Sequence, residues 1–161
     1  VGRKRTSAAH RLAEWLERER PERITESVWE QLRAALAPIS EDRLRRLVRE
    51  TGLPLDPLVE GVRQESLGSL ERTLLALQCE YERAAAAEDR ARMRACRRLV
   101  MQAKDHARWV LRNPRTDAVK KAQKEEMLLW LMTWLENPPV FSAWLRLRKQ
   151  ALAARSDPAQ L

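Results

Sequence analysis

Apolar residues along this chain recur mostly at spacings of three and four, the period of a helix with one buried side. Leu12, Trp15 and Leu16 set that pattern over roughly Ser7 to Arg20, and Pro21 ends it. Thr25 is a good N-cap for a second helix. Ile24 before it and Trp29 four residues after it have the spacing of a hydrophobic staple. This segment runs to about Ala37, where Pro38 closes it. Ser40 caps a third, with Glu41 and Asp42 in the first turn, where the helix dipole favours acids, and Gly52 at the C′ position. Asp56 then caps a fourth, with Pro57 at N1.

The C-terminal part carries longer patterns. Leu70, Leu74, Leu77 and Tyr81 form a stripe over about Ser69 to Ala86, with Ser66, Gly68 and Ser69 weakening the join before it. A bend is expected at Ala87 to Asp89, since Glu88 and Asp89 suit a new helix start. The following helix reaches Arg112, where Asn113-Pro114 stops it. Asp117 opens another to about Glu136. Its Met127–Leu135 stretch is apolar nearly all round, which predicts a central position. Asn137-Pro138-Pro139 breaks that helix, and a last one covers Val140 to Ala154. Trp130, Trp134, Phe141 and Trp144 bracket the break and are expected in the core. Residues 155–161 read as a flexible tail.

The expected fold is therefore all-α, with seven to eight helices: short ones N-terminally and a longer C-terminal bundle. A single helical domain over 1–161 is the reading, divisible into lobes at 7–66 and 69–154. Composition agrees. Leu, Ala, Arg and Glu dominate, and only four glycines occur in 161 residues. Met127–Leu135 is the longest apolar run and covers about half of a membrane span, so no membrane partner is expected. Two cysteines, Cys79 and Cys96, make no disulfide framework, and no secretory leader is visible. Both points predict a reducing, cytoplasmic setting.

Charge sharpens the picture. The formal net charge is +8, which suits an anionic partner. Residues 88–124 hold twelve Lys or Arg against four Asp or Glu, a surplus equal to that of the whole chain. Taken at about 100° per residue, Arg90, Arg94, Arg97, Lys104, Arg108 and Arg112 fall on one side of a helix, with Arg98 beside them. Met93, Cys96, Leu99, Val100, Ala103, Ala107, Val110 and Leu111 fall on the other. At 1.5 Å per residue the basic stripe is about 33 Å long. Asp105 is the one acid near it beyond the first turn. The stripe can serve as a track for phosphates, since Arg presents forked donors to phosphate oxygens. It can equally be a solvated face neutralised by neighbouring acids, for which Glu71, Glu80 and Glu82 are the candidates.

Residues 44–64 have the outline of a helix-turn-helix unit, with Val48, Gly52, Leu58 and Val62 at plausible packing positions. The second helix, however, would lead with Asp56 and display Glu60, Arg63, Gln64 and Glu65. Carboxylates at that end are repelled by phosphates, so an ordinary helical corner is the better reading.

Catalytic chemistry is not legible. His10 lies four residues before Glu14, and His106 follows Asp105; neither spacing gathers ligands. No Glu-x-x-His, H-E-x-x-H, CxxC or glycine-rich phosphate loop occurs. Cys79 and Cys96 read as core or semi-buried thiols, and Glu125-Glu126 and Glu80-x-Glu82 as ordinary charged helix positions. No catalytic residue, cofactor or metal is expected. The leading expectation is a non-enzymatic helical protein-interaction or scaffolding module that meets an unknown protein partner or a second copy of itself. The alternative is sequence-tolerant nucleic-acid binding through the basic face at 90–112. An apolar patch among the tryptophans would favour the first, and a continuous unpaired cationic face the second.

Overall fold

The computed structural model of the chain describes residues 7–156. The basic residues 1–6 and residues 157–161 of the expected tail lie outside the described residues. The fold is all-α. The described residues form eight helices: α1 (Ala8–Glu19), α2 (Glu26–Leu36), α3 (Glu41–Glu50), α4 (Pro57–Glu60), α5 (Leu67–Ala86), α6 (Arg90–Arg112), α7 (Ala118–Glu136) and α8 (Phe141–Ser156). A 3-10 turn, Pro138–Val140, separates α7 from α8. The described residues divide between Glu60 and Gly61 into two compact units, N-terminal and C-terminal.

Helix starts follow local side-chain chemistry. Ser7, Thr25, Ser40, Asp89 and Asp117 each accept a hydrogen bond from a backbone N–H three residues on, at 3.1, 3.3, 3.2, 3.1 and 2.8 Å. Ser66 and Ser69 cap each other reciprocally at 3.0 Å, so α5 begins at Leu67 rather than at Ser69. The serines that look like a weak join in the sequence are the start of the helix.

In the N-terminal unit, Leu12, Trp15, Ile24, Trp29, Leu32, Leu36, Leu44, Val48 and Val59 form one core. Ile24 and Trp29, the staple pair, are both buried in it. Ile24 also pairs with the segment after α3: its N–H donates to Pro54 O at 2.8 Å, and its carbonyl accepts from Asp56 N–H at 2.9 Å. That extended segment precedes α4, which is a single turn. The expected fourth helix therefore stops at Glu60, and the surface of Arg63, Gln64 and Glu65 is not a helical face. Gly61 adopts φ +73°, a left-handed conformation that ends the turn. Two arginines of α3 complete the corner. Arg45 Nε donates to Val59 O at 2.9 Å, and Arg49 Nη2 pairs with Glu60 Oε1 at 2.7 Å. Residues 44–64 thus hold no second groove-entering helix.

In the C-terminal unit, α5 contributes Leu70, Leu74 and Leu77, α6 Cys96, Val100 and Ala107, α7 Met127, Trp130, Leu131 and Trp134, and α8 Phe141 and Leu145. The Trp134 indole donates to Leu74 O at 3.1 Å and meets Tyr81 edge to face at 5.8 Å. Trp130 and Phe141 are likewise buried, while Trp144 is half-buried and stacked on Phe141. Gln78 ties α5 to the start of α8. Its Nε2 donates to Pro139 O (3.0 Å) and Ser142 Oγ (3.1 Å), and its Oε1 accepts from Ser142 N–H (3.0 Å).

Three expectations need correction here. The α7 helix is not enclosed all round: Leu129 and Met132 stand 39% and 45% exposed on its outer side. The last helix continues to Ser156, so Arg155 and Ser156 are not tail. Cys79 is exposed rather than buried; only Cys96 is a core thiol.

Candidate nucleic-acid interface

α6 is continuous over its 23 residues and buries the side expected from the sequence. Cys96, Val100, Ala103, Ala107 and Val110 face inward. Arg90, Arg94, Arg98 and Arg112 are exposed, and Arg97, Lys104 and Arg108 are half-buried. The segment neither bends apart nor splits.

The α5 acids do not neutralise this face, and Asp105 is the exposed acid that lies on it. Glu71 pairs with Lys149 of α8. Glu80 is buried and pairs with Arg92 at 2.5 Å and Arg83 at 3.7 Å. Glu82 accepts from Gln78 Nε2 at 3.3 Å. Arg92, on the flank of α6, is thus an α6 arginine that an α5 acid holds. Among the described residues, Arg90, Arg94, Arg98, Lys104, Arg108 and Arg112 pair with no carboxylate. Arg97 leaves the track: its Nη1 donates to Leu135 O at 2.9 Å and satisfies a carbonyl in the last turn of α7. Six of the seven candidate residues remain available to an external anion.

Some of these charges sit where helix stability disfavours them. The first turns of α6 and α7 contain no acid, and they carry Arg90, Arg92, Lys120 and Lys121 at the positive end of the helix dipole. The first turn of α3 shows the opposite arrangement, with Glu41 and Asp42. Arg108 and Arg112, by contrast, lie near the C-terminus of α6, where the dipole favours cations.

Two apolar side chains interrupt the polar face, and the charge pattern alone did not single them out. Met101 is exposed between the basic clusters, with Lys104 Nζ 3.9 Å from its sulfur. Trp109 is 63% exposed and stacks on His106 with ring centroids 6.2 Å apart. On the helical wheel Trp109 lies about 60° from Arg112 and far from the buried side. That angular position was the available signal.

Other polar groups have structural work to do. Glu126 is not an ordinary surface position. It accepts two hydrogen bonds from Arg148, both at 2.8 Å, and a third from the Trp130 indole at 3.0 Å. The Arg148 hydrogen bonds, with Trp130 assisting, hold its carboxyl below the usual glutamate range. Lys124 is only 5% exposed and donates to Gln64 O and Oε1, at 3.2 and 3.4 Å. Burial, with Lys120 nearby, pushes its amine down. Gln64 in turn donates to Ala103 O at 3.1 Å, which pins residues 61–65 onto α6 and α7. His10 pairs with Glu14 at 3.0 Å on the surface of α1.

Among the described residues, no three His, Cys, Asp or Glu side chains gather as a metal site. Open grooves of about 660 and 700 Å³ flank Pro38 and Ile39 in the N-terminal unit. Their charged groups are Glu30, Arg33, Arg11 and Arg43. Arg33 pairs with Glu30 and Glu41, and Arg11 donates to Ala35 O. No helix of the described residues is long and apolar enough to cross a membrane. Comparison with protein-family models, curated proteins and solved structures finds no match for this chain.

Proposed function

We propose that this chain is a non-enzymatic helical module that binds nucleic acid without sequence preference, through the outer face of α6. The observation that carries the reading is the cationic face itself. Arg90, Arg94, Arg98, Lys104, Arg108 and Arg112 lie along one helix side, and the α5 acids Glu71, Glu80 and Glu82 are engaged with other side chains, which leaves Asp105 as the acid on this face. A guanidinium without an acidic partner gains most from a phosphate, and binding releases the counterions condensed on the nucleic acid. Contacts from guanidinium and ammonium groups to phosphates position a protein on the strand without reading its bases, so affinity without sequence readout is expected.

Fluorescence anisotropy with a labelled oligonucleotide tests this directly. With about five phosphates engaged, affinity should fall on the order of a hundredfold between about 50 and 200 mM salt. Absence of binding at the lower salt concentration removes the reading.

One observation favours a second reading, a protein partner or self-association. Leu129 and Met132 leave apolar surface on the outer side of α7. Of the tryptophans of the C-terminal hairpin, Trp130 and Trp134 are buried and Trp144 is half-buried against Phe141. A pull-down with and without nuclease separates the two readings: a protein retained after nuclease treatment supports the second.

A further inference from the structure

We infer that the α6 face prefers single-stranded over duplex nucleic acid, because Trp109 offers an indole on which an unpaired base can stack. The inference rests on the nucleic-acid reading above and specifies its ligand.

Trp109 is the most exposed of the large aromatic side chains, at 63%. The other tryptophans have an evident structural place. Trp15, Trp29, Trp130 and Trp134 are buried, and Trp144 is half-buried against Phe141. Trp109 fills no core position. It is held from one side by His106, one turn earlier on the same helix. That contact orients the ring while leaving most of its surface open to solvent. Arg108 precedes it and Arg112 lies one turn on, both without carboxylate partners among the described residues. An aromatic face flanked by two available guanidiniums matches the repeating unit of a single strand, a base joined to phosphates on either side. Base–aromatic stacking tolerates any sequence, since every base has a π face. In a duplex the bases are already stacked and paired, so the indole gains little there while the arginines still meet phosphate. The nearest acid, Asp105, lies one turn before Trp109 and is the feature that opposes anion binding locally.

The test compares wild type, Trp109→Ala and Trp109→Phe against a labelled single-stranded homopolymer and a duplex of equal length at low salt. A thermal melt serves as the folding control. The expected result is roughly tenfold weaker single-strand binding by W109A, little change on duplex, and substantial recovery by W109F. Single-strand binding should also quench tryptophan emission in wild type and much less in W109F. Equal effects on both ligands, or no effect on either, overturn the inference and leave the nucleic-acid reading intact. Failure of wild type to bind either ligand overturns the reading itself. Displacement of the oligonucleotide by polyglutamate at equal charge concentration assigns the face to acidic protein and overturns both.

Discussion

At the scale of single residues, the cationic face was legible because charge and helical period are both local. What those residues touch was not. Arg97 belongs to the stripe by angle, yet it serves the end of α7, whose position depends on packing far along the chain. Glu80 and Glu126 look like solvated acids in sequence, and both are held by arginines from other helices. The Glu126 case gives a pH test. Its folded-state pKa is depressed, so the stabilisation from Arg148 is present above the ordinary glutamate range. It is lost as the pH falls through the lower folded value. Thermal unfolding of Glu126→Gln should therefore fall short of wild type at neutral pH, with the gap closing in acid. A second residue-level test concerns Glu88, which holds φ +56° between α5 and α6. A left-handed conformation strains any residue with a Cβ. Glu88→Gly should stabilise the protein by about 0.5–1 kcal/mol in urea denaturation.

At the scale of elements, helix existence and most boundaries were readable from caps and breakers. Ser40, Asp89, Asp117 and the Asn137-Pro138-Pro139 break all act within a turn of their own position. The exceptions have tertiary causes. The single-turn α4 ends where Gly61 turns left-handed, and Arg45 and Arg49 of α3 hold its last residues. The outer side of α7 stays exposed although its sequence is apolar nearly all round, because hydropathy does not say how many neighbours a helix will have. Gln78 is another element-level contributor that periodicity does not find. It satisfies an orphan N–H at the start of α8 and a carbonyl of the Pro-Pro turn. Gln78→Ala should cost about 1–3 kcal/mol, since it leaves polar groups near the core without partners. Chemical denaturation with Trp emission reads this directly.

At the scale of the whole molecule, charge is divided unequally. Residues 1–60 hold twelve basic against eleven acidic residues, and residues 61–161 hold nineteen against twelve. Nearly all of the surplus therefore belongs to the C-terminal unit, and within it to the stretch around α6. In the N-terminal unit, several arginines already have partners: Arg33, Arg45 and Arg49 pair with Glu30, Glu41, Asp42 and Glu60. A uniform basic bias would not produce this contrast. The measurement that tests the account most directly is the salt dependence of oligonucleotide binding by wild type and by the triple variant Arg94→Gln/Arg108→Gln/Arg112→Gln. For a single strand, each lost phosphate contact reduces the slope of log K against log salt by about 0.7. The triple variant should therefore bind more weakly, with a slope shallower by about 2. An unchanged affinity and slope, with the helix content of the variant intact, would contradict the assignment of α6 as the binding face.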